Sequence, residues 1–160
     1  MRLLPYDRNS AVNYAKKWAL KRNPAYYDFE SIGGDCTNFV SQCIYAGSKV
    51  MNFTKDIGWY YSDINNRAAA WTSVEYLYSF LTSNSGAGPF GISVTKSQLK
   101  KGDIIQLGTF YGDFYHSLIV SDFYNHIPIV CAHTFDALNK PLNEYFYETV
   151  RYIHIENVRK

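Results

Sequence analysis

Long apolar runs are missing from this sequence of 160 residues, and their absence bears on targeting. The N-terminal segment, Met1 to Asp7, contains too few apolar residues to form the core of a signal peptide. No later segment approaches the roughly 20 apolar residues that span a bilayer as a helix. We therefore expect no membrane partner. Action outside a cell would need another export route or an earlier loss of a leader.

Charge of either sign is also scarce. Lys and Arg number 16 against 14 Asp and Glu, which gives a formal net charge of +2. Proteins that bind nucleic acid cluster their basic residues on one face, and here these residues are scattered, so nucleic acid is not an expected partner. The 47% of hydrophobic residues suffice for a core. We expect one globular domain over residues 1–160, and a monomer.

Cysteine is rare, with three residues at positions 36, 43 and 131 and no CxxC pair. An odd number cannot pair completely, and the spacing fits neither a disulfide scaffold nor a zinc ribbon. We interpret all three as reduced thiols, with one disulfide and one free thiol as the alternative.

Aromatic residues, by contrast, reach 18% of the sequence. The run Trp59-Tyr60-Tyr61 lies in an irregular stretch that we expect to form a loop near the functional site.

Two periodicities divide the chain into a helical first half and a strand-rich second half. Helical spacing predicts helices over residues 7–22, 36–46 and 74–82, with Gly47 ending the second and a capping-box pattern from Thr72 to Glu75 starting the third. Residues 83–91, with three glycines and a proline, predict a connector. Ile- and Val-rich segments predict strands over 103–107, 116–121, 127–133 and 149–155. This order indicates an α+β fold, with N-terminal helices packed on an antiparallel sheet.

The segment GGDCTNFVSQ, from Gly33 to Gln42, carries the clearest chemical signal. Two glycines allow a tight turn and Asp35 can cap the helix that follows, which places Cys36 at a helix N-terminus. The unpaired amides and the helix dipole at that position favour a thiolate. We therefore hypothesise that Cys36 is a catalytic nucleophile. Cys43, two turns along the same face, fits a buried core residue.

A cysteine nucleophile needs a base, and four histidines are available. His116 begins a predicted strand and His133 ends the next, so antiparallel pairing could bring the two rings side by side. His126 lies in a turn, where a solvated ring is expected. His154 alternates with isoleucines near the C-terminus and fits the outer face. From spacing alone, His116 is only slightly favoured as the base.

Three motifs occur in order: GGDCTNFVSQ, the segment over residues 99–105, and HSLIV from His116 followed by Ala132-His133. Together they resemble the bacterial putative amidase domain family, which is similar to NlpC-type cell-wall peptidases among the papain-like cysteine hydrolases. The resemblance extends from about residue 6 to residue 150. It implies that Cys36 is the nucleophile, that His116 is the general base and acid, and that His133 orients His116. Asp136 and Asn139 compete for that third role.

The resemblance also implies the reaction. An amide bond of peptidoglycan, either at the muramoyl group or within the stem peptide, would be cleaved through a thioester without metal or cofactor. By the same analogy Asp35 would bind a free amine of the substrate, although its role as a helix cap is an equal alternative. Trp59 would contact a glycan or an extended peptide. The amide of Cys36 is a natural oxyanion donor, while Glu30, as a carboxylate, would repel an oxyanion.

Other functions remain open at this level. An acyltransferase or a deamidating toxin could use the same scaffold, and an inactive cell-wall-binding module could retain the fold. A zinc site built from Cys36, His116 and His133 has suitable ligand types but lacks the close spacing of zinc motifs.

Overall fold

An antiparallel sheet of seven strands forms the centre of the computed structural model, which describes residues 1–160. The helices are α1 (Arg8–Trp18), α2 (Cys36–Ser48), α3 (Ala69–Thr72) and α4 (Val74–Ser83). The strands are β1 (Leu3–Leu4), β2 (Tyr61–Asp63), β3 (Asn66–Arg67), β4 (Gly88–Val94), β5 (Ile104–Gly108), β6 (Phe114–Tyr124), β7 (Ile127–Ala132), β8 (Ala137–Pro141) and β9 (Thr149–Arg159). The mixed α+β class with an antiparallel sheet is confirmed.

The long strand β9 and the hairpin β6–β7 organise the sheet. The strand order is β1-β9-β5-β6-β7-β8, and β4 also pairs with β9. Strands β2 and β3 form a separate small ribbon. All pairs of the main sheet are antiparallel. The four predicted strands are present, and β1, β4 and β8 are additional. Strand β4 begins at Gly88, inside the segment predicted to be a connector.

Side chains on the two faces of the sheet enter two separate hydrophobic clusters, as the alternation of strand residues requires. The larger cluster joins Ile104, Ile119 and Ile153 to the helices, and the smaller one contains Ile105 and Leu118 on the opposite face. Helix α2 supplies Phe39, Val40, Cys43 and Ile44 to the larger cluster, as its periodicity predicts. No helix has the length and apolar character needed to cross a membrane.

Local side-chain caps fix the first residues of α1 and α4. The Asp7 carboxylate accepts hydrogen bonds from the amide and the hydroxyl of Ser10, which fixes the start of α1. The hydroxyl of Ser73 accepts from the Tyr76 amide at the start of α4, so the cap is one residue later than the pattern from Thr72 suggested. Helix α1 ends at Trp18, four residues before the predicted end.

Buried Asp103 ties the two ends of the chain together. One of its oxygens accepts from Arg8 at 2.7 Å and from the Ile155 amide at 3.0 Å. The other lies 2.8 Å from Nδ1 of His154 and 2.8 Å from the Lys100 amide. His154 lies on the opposite face of β9 from buried Ile153 and Ile155, and there it is a half-buried partner of a carboxylate and not a fully solvated side chain.

Gly47 lies inside α2 and does not end it. The helix continues to Ser48, and Lys49 takes the left-handed conformation, with its amide bonded to the carbonyl of Tyr45. A Cβ atom at Gly47 would lie 2.6 Å from Cε1 of Tyr6 and 2.7 Å from the carbonyl oxygen of Asp7. The glycine is needed for the close approach of the N-terminal segment.

The substitution Gly47→Ala tests this packing, because two effects of opposite sign compete. In an open helix, alanine is favoured over glycine by about 1 kcal/mol. Here the clash with Tyr6 and Asp7 should outweigh that gain and lower the free energy of unfolding by about 1 to 3 kcal/mol. Urea unfolding followed by circular dichroism measures the change. A higher urea midpoint for the variant would show that the contact yields easily.

Candidate active site

Cys36 is the first residue of α2 and is almost completely buried, with 7% of its surface exposed. The backbone of Ser117 is a hydrogen-bond partner of the thiol, and the Thr37 hydroxyl lies 3.7 Å from Sγ. The hydroxyls of Thr37 and Ser117 share a hydrogen bond of 3.0 Å, which fixes the start of α2 to β6. Since Ser117 follows His116 directly, the structure places the thiol at the end of β6 that carries the predicted base.

Asp35 occupies the N-cap position of α2, but its side chain does not cap the helix. One carboxylate oxygen instead accepts from the Phe29 amide and from the side-chain amide of Asn38, both at 2.8 Å. Asp35 has no exposed surface, so a substrate amine cannot reach its carboxylate. The carboxylate therefore serves neither of the two predicted roles. The first amides of α2 are left without a side-chain acceptor, and that of Cys36 is suited to bind an oxyanion.

His133 is paired with Asp35 behind the nucleophile. Its Nδ1 lies 2.5 Å from Oδ2 of Asp35, its Nε2 lies 2.7 Å from the carbonyl oxygen of Trp18, and its ring stacks on Phe39 at 4.0 Å. The carbonyl accepts only, so Nε2 carries a proton, and a second proton lies between Nδ1 and the carboxylate. Neither nitrogen of His133 remains for His116. The structure therefore does not support a direct orienting contact between the two histidines.

The two alternative orienting residues are also engaged elsewhere. Both oxygens of Asp136 accept from Arg22, at 2.8 and 3.1 Å. The side-chain oxygen of Asn139 accepts from the Ser121 hydroxyl at 2.8 Å. None of the three proposed third residues forms a hydrogen bond with His116.

Arg22 joins the loop before Cys36 to the loop after His133. Besides Asp136, its guanidinium lies 3.2 Å from Asp28, 3.5 Å from Glu30 and 3.6 Å from Asp35. Glu30 also accepts from the hydroxyl of Thr134 at 3.1 Å. These contacts hold the segment that presents Cys36, and they occupy the Glu30 carboxylate away from the thiol.

His116 lies near the start of β6, opposite Leu107 of β5, and its ring lines a pocket of about 320 Å³. The ring centroid is 6.1 Å from that of Tyr145. Burial, and to a lesser degree the positive charge of Lys140, lowers the pKa of His116 to about 4. The imidazole is therefore neutral near pH 7 and can accept a proton.

The thiol is also neutral in this structure. Burial raises the pKa of Cys36 above its ordinary value, and hydrogen bonds from the Ser117 backbone and from Thr37 oppose part of this rise. No hydrogen bond joins the thiol to the His116 ring. A neutral thiol and a neutral imidazole suit proton transfer during nucleophilic attack, in contrast to a preformed thiolate and imidazolium pair.

Trp59 does not lie at this site. It has no exposed surface, its indole donates to the Ser41 hydroxyl at 3.0 Å, and it packs against Trp71 and Phe80 in the larger cluster. The prediction that it contacts substrate is wrong for this structure. The irregular stretch around Trp59 covers the core and includes the ribbon of β2 and β3.

Different aromatic residues surround the pocket of His116. Phe135 and Phe146, each 91% exposed, line it together with Tyr115. Sequence reasoning missed all three. Tyr115 precedes His116 directly and Phe135 follows His133 by two residues, so proximity to the histidine motifs was the available signal for these two. Phe146 had no such signal.

No group of three or more His, Cys, Asp or Glu side chains is arranged to hold a metal ion. Cys36, His116 and His133 do not converge on one point, because both ring nitrogens of His133 are directed to Asp35 and Trp18.

Comparison with known proteins bears on the same region. Residues 5–155 match the model of a family described as "Putative amidase domain". The uncharacterized protein YhbB of Bacillus subtilis is 37% identical over 142 residues, which cover 85% of this chain and 44% of YhbB. The uncharacterized protein YjcM of the same organism is 30% identical over 144 residues, covering 85% of this chain and 32% of YjcM. The chain thus spans less than half the length of these curated relatives. No solved structure matches.

The neutral state of the thiol can be tested by alkylation. Iodoacetamide reacts with thiolate, so a raised pKa predicts that the Cys36 rate keeps rising with pH through neutrality and beyond pH 9. Peptide mapping by mass spectrometry separates Cys36 from the buried Cys43 and Cys131, and a Cys36→Ala variant gives the background. A rate plateau between about pH 5 and 7 would instead reveal an ion pair with His116.

The buried pair of Asp35 and His133 makes a stability prediction. Asp35→Ala leaves a buried imidazole without its acceptor and should lower the free energy of unfolding by about 3 to 5 kcal/mol. Asp136→Ala, which removes a more exposed carboxylate from Arg22, is the matched control and should cost about 1 kcal/mol or less. Urea unfolding measures both. Equal losses of unfolding free energy in the two variants would mean that the buried pair stabilises the fold no more than the exposed pair does.

Proposed function

Because the chain belongs to the family described as "Putative amidase domain", we propose that it is a cysteine-dependent amide hydrolase with Cys36 as nucleophile and His116 as general base. One observation carries this proposal. Cys36 begins a helix whose first amides have no side-chain cap, and its thiol lies against the residue that follows His116. This contact supports the pairing of the nucleophile and its oxyanion donor with the base that precedes Ser117 on β6. The relation to NlpC-type and papain-like enzymes stays a prediction.

The proposed reaction uses the neutral thiol and the neutral imidazole. His116 takes the thiol proton as sulfur attacks the amide carbonyl, and the Cys36 amide stabilises the oxyanion. The imidazolium then gives its proton to the leaving nitrogen, the C–N bond breaks and a thioester forms. Water, deprotonated by His116, attacks the thioester and releases the acid and the thiol. Since no hydrogen bond joins the ring to the thiol here, the ring has to close on Sγ when substrate binds.

His133 enters this proposal as a positioning residue for Asp35. Its bonds to Asp35 and to the Trp18 carbonyl connect the end of β7 to the end of α1 and to the start of α2. A fixed Asp35 carboxylate in turn holds the Phe29 amide and the Asn38 side chain. The loop that presents Cys36 is thereby held in one conformation, which lowers the entropic cost of attack.

We propose an amide of bacterial peptidoglycan as the substrate, within the stem peptide or between the muramoyl group and the first residue. Two considerations support this choice. The sequence motifs resemble cell-wall peptidases, and the exposed rings of Tyr115, Phe135 and Phe146 around the pocket suit a sugar or an extended peptide.

Incubation of purified peptidoglycan with the wild type and with Cys36→Ala tests this function. In water enriched in ¹⁸O, the wild type should release fragments with new amine ends and new acid ends that carry one labelled oxygen. Loss of the nucleophile should reduce the rate by a factor on the order of 10⁴ or more. A chelator should leave the wild-type rate unchanged.

Mass spectrometry of the fragments identifies the cleaved bond and separates the alternatives. Acyl groups joined to an acceptor amine, without ¹⁸O, would identify an acyltransferase. Binding to peptidoglycan with no release by the wild type would contradict the amidase and leave a binding module.

A further inference from the structure

The pocket of His116 contains a lysine that lacks an acidic partner. Lys140, on β8 and opposite Val130, lines this pocket together with Leu107, Phe135, Tyr145 and Phe146. No carboxylate forms an ion pair with it, whereas the site's other partly buried cation, Arg22, contacts four. An unpaired ammonium group in a largely apolar pocket is a strong binding site for an anion, because little water competes.

Lys140 is held in place by Tyr145. Its Nζ lies 4.2 Å from the centre of the Tyr145 ring, in a cation–π contact. Tyr145 is half-buried against the smaller cluster, and its amide is bonded to the carbonyl of Leu142. The ammonium group is therefore positioned before a ligand arrives, which reduces the ordering cost of binding.

The remaining walls limit what the anion can be attached to. Phe135 and Phe146 project at the mouth and offer apolar surface to a ligand backbone. Exposed Glu144 also lines the pocket and would repel a highly charged anion such as a phosphate ester. A single carboxylate on a peptide satisfies both conditions.

We propose that this pocket is a specificity subsite in which Lys140 binds a carboxylate that the peptide substrate carries close to the scissile amide. This inference rests on the proposed function, because it takes the amide to be positioned between Cys36 and His116. Phe135 and Phe146 would hold the peptide on either side of the bound carboxylate.

Binding of the carboxylate also acts on the base. The charge of Lys140 contributes to the lowered pKa of His116. A carboxylate paired with Lys140 cancels part of that charge, so His116 becomes a stronger base when the right substrate is bound. A substrate without the carboxylate would bind more weakly and would also meet a weaker base.

A binding experiment tests the subsite without relying on cleavage. The probes are soluble disaccharide-peptide fragments of peptidoglycan, either as free acids or after carbodiimide conversion of their carboxylates to carboxamides. Calorimetric titration of the Cys36→Ala variant of this chain should show at least about tenfold tighter binding of the acid form, which is typical of one charge-assisted hydrogen bond. Adding Lys140→Met should abolish this preference, and adding Lys140→Arg should largely retain it. Lys160→Met, at the exposed C-terminus, is the control and should change nothing.

The outcomes separate the two proposals. Equal affinity for the acid and the amidated probe, no measurable binding of either, or a preference that survives Lys140→Met would overturn the subsite. A clear preference in a protein whose wild type cleaves no amide would leave the subsite standing and refute the hydrolase. Circular dichroism of each variant shows that the fold is intact.

Discussion

The buried hydrogen bond between Asp35 and His133 is the constraint on which the candidate site depends. Both side chains are buried, and a buried charge is tolerated only when its remaining hydrogen-bonding capacity is satisfied. Here the Phe29 amide, the Asn38 side chain and the Trp18 carbonyl complete the set. The pair therefore holds the end of α1, the loop before α2 and the end of β7 in one arrangement. That arrangement leaves the first amides of α2 without a side-chain cap. A capping role for Asp35 would have removed an amide from the proposed site of oxyanion binding.

The electrostatics of the candidate site fit the proposed activation by the substrate. Burial disfavours the thiolate of Cys36 and the imidazolium of His116, so neither charged form is stabilised in the free protein. A neutral thiol is a weak nucleophile, which protects a buried cysteine from side reactions. The charge of Lys140 lowers the pKa of His116 further, and neutralising that charge would raise this pKa again. In the proposed subsite, the same residue links recognition of the substrate to the strength of the base.

The abundance of aromatic residues has two distinct structural causes. Trp59 stacks on Phe80 and packs at a tilt against Trp71 inside the larger cluster. Phe135 and Phe146 have almost no contact with the core and remain exposed around the pocket. Composition alone cannot separate these groups, since a ring that fills a core and a ring that grips a ligand have the same chemistry.

The sequence by itself determined the features that depend on near neighbours. Asp7 starts α1, a cysteine follows two glycines and begins α2, and the Ile- and Val-rich segments form the strands, because capping and periodicity act within a few residues. Only the tertiary structure decided the partners that lie far apart in sequence. Asp35 meets His133 across 98 residues, and Lys140 reaches the pocket of His116 through the pairing of β7 with β8. Gly47 is a packing residue and not a helix stop for the same reason: Tyr6 approaches it from outside the helix. Such contacts are fixed by how the sheet and the helices pack, and local sequence carries no record of that packing.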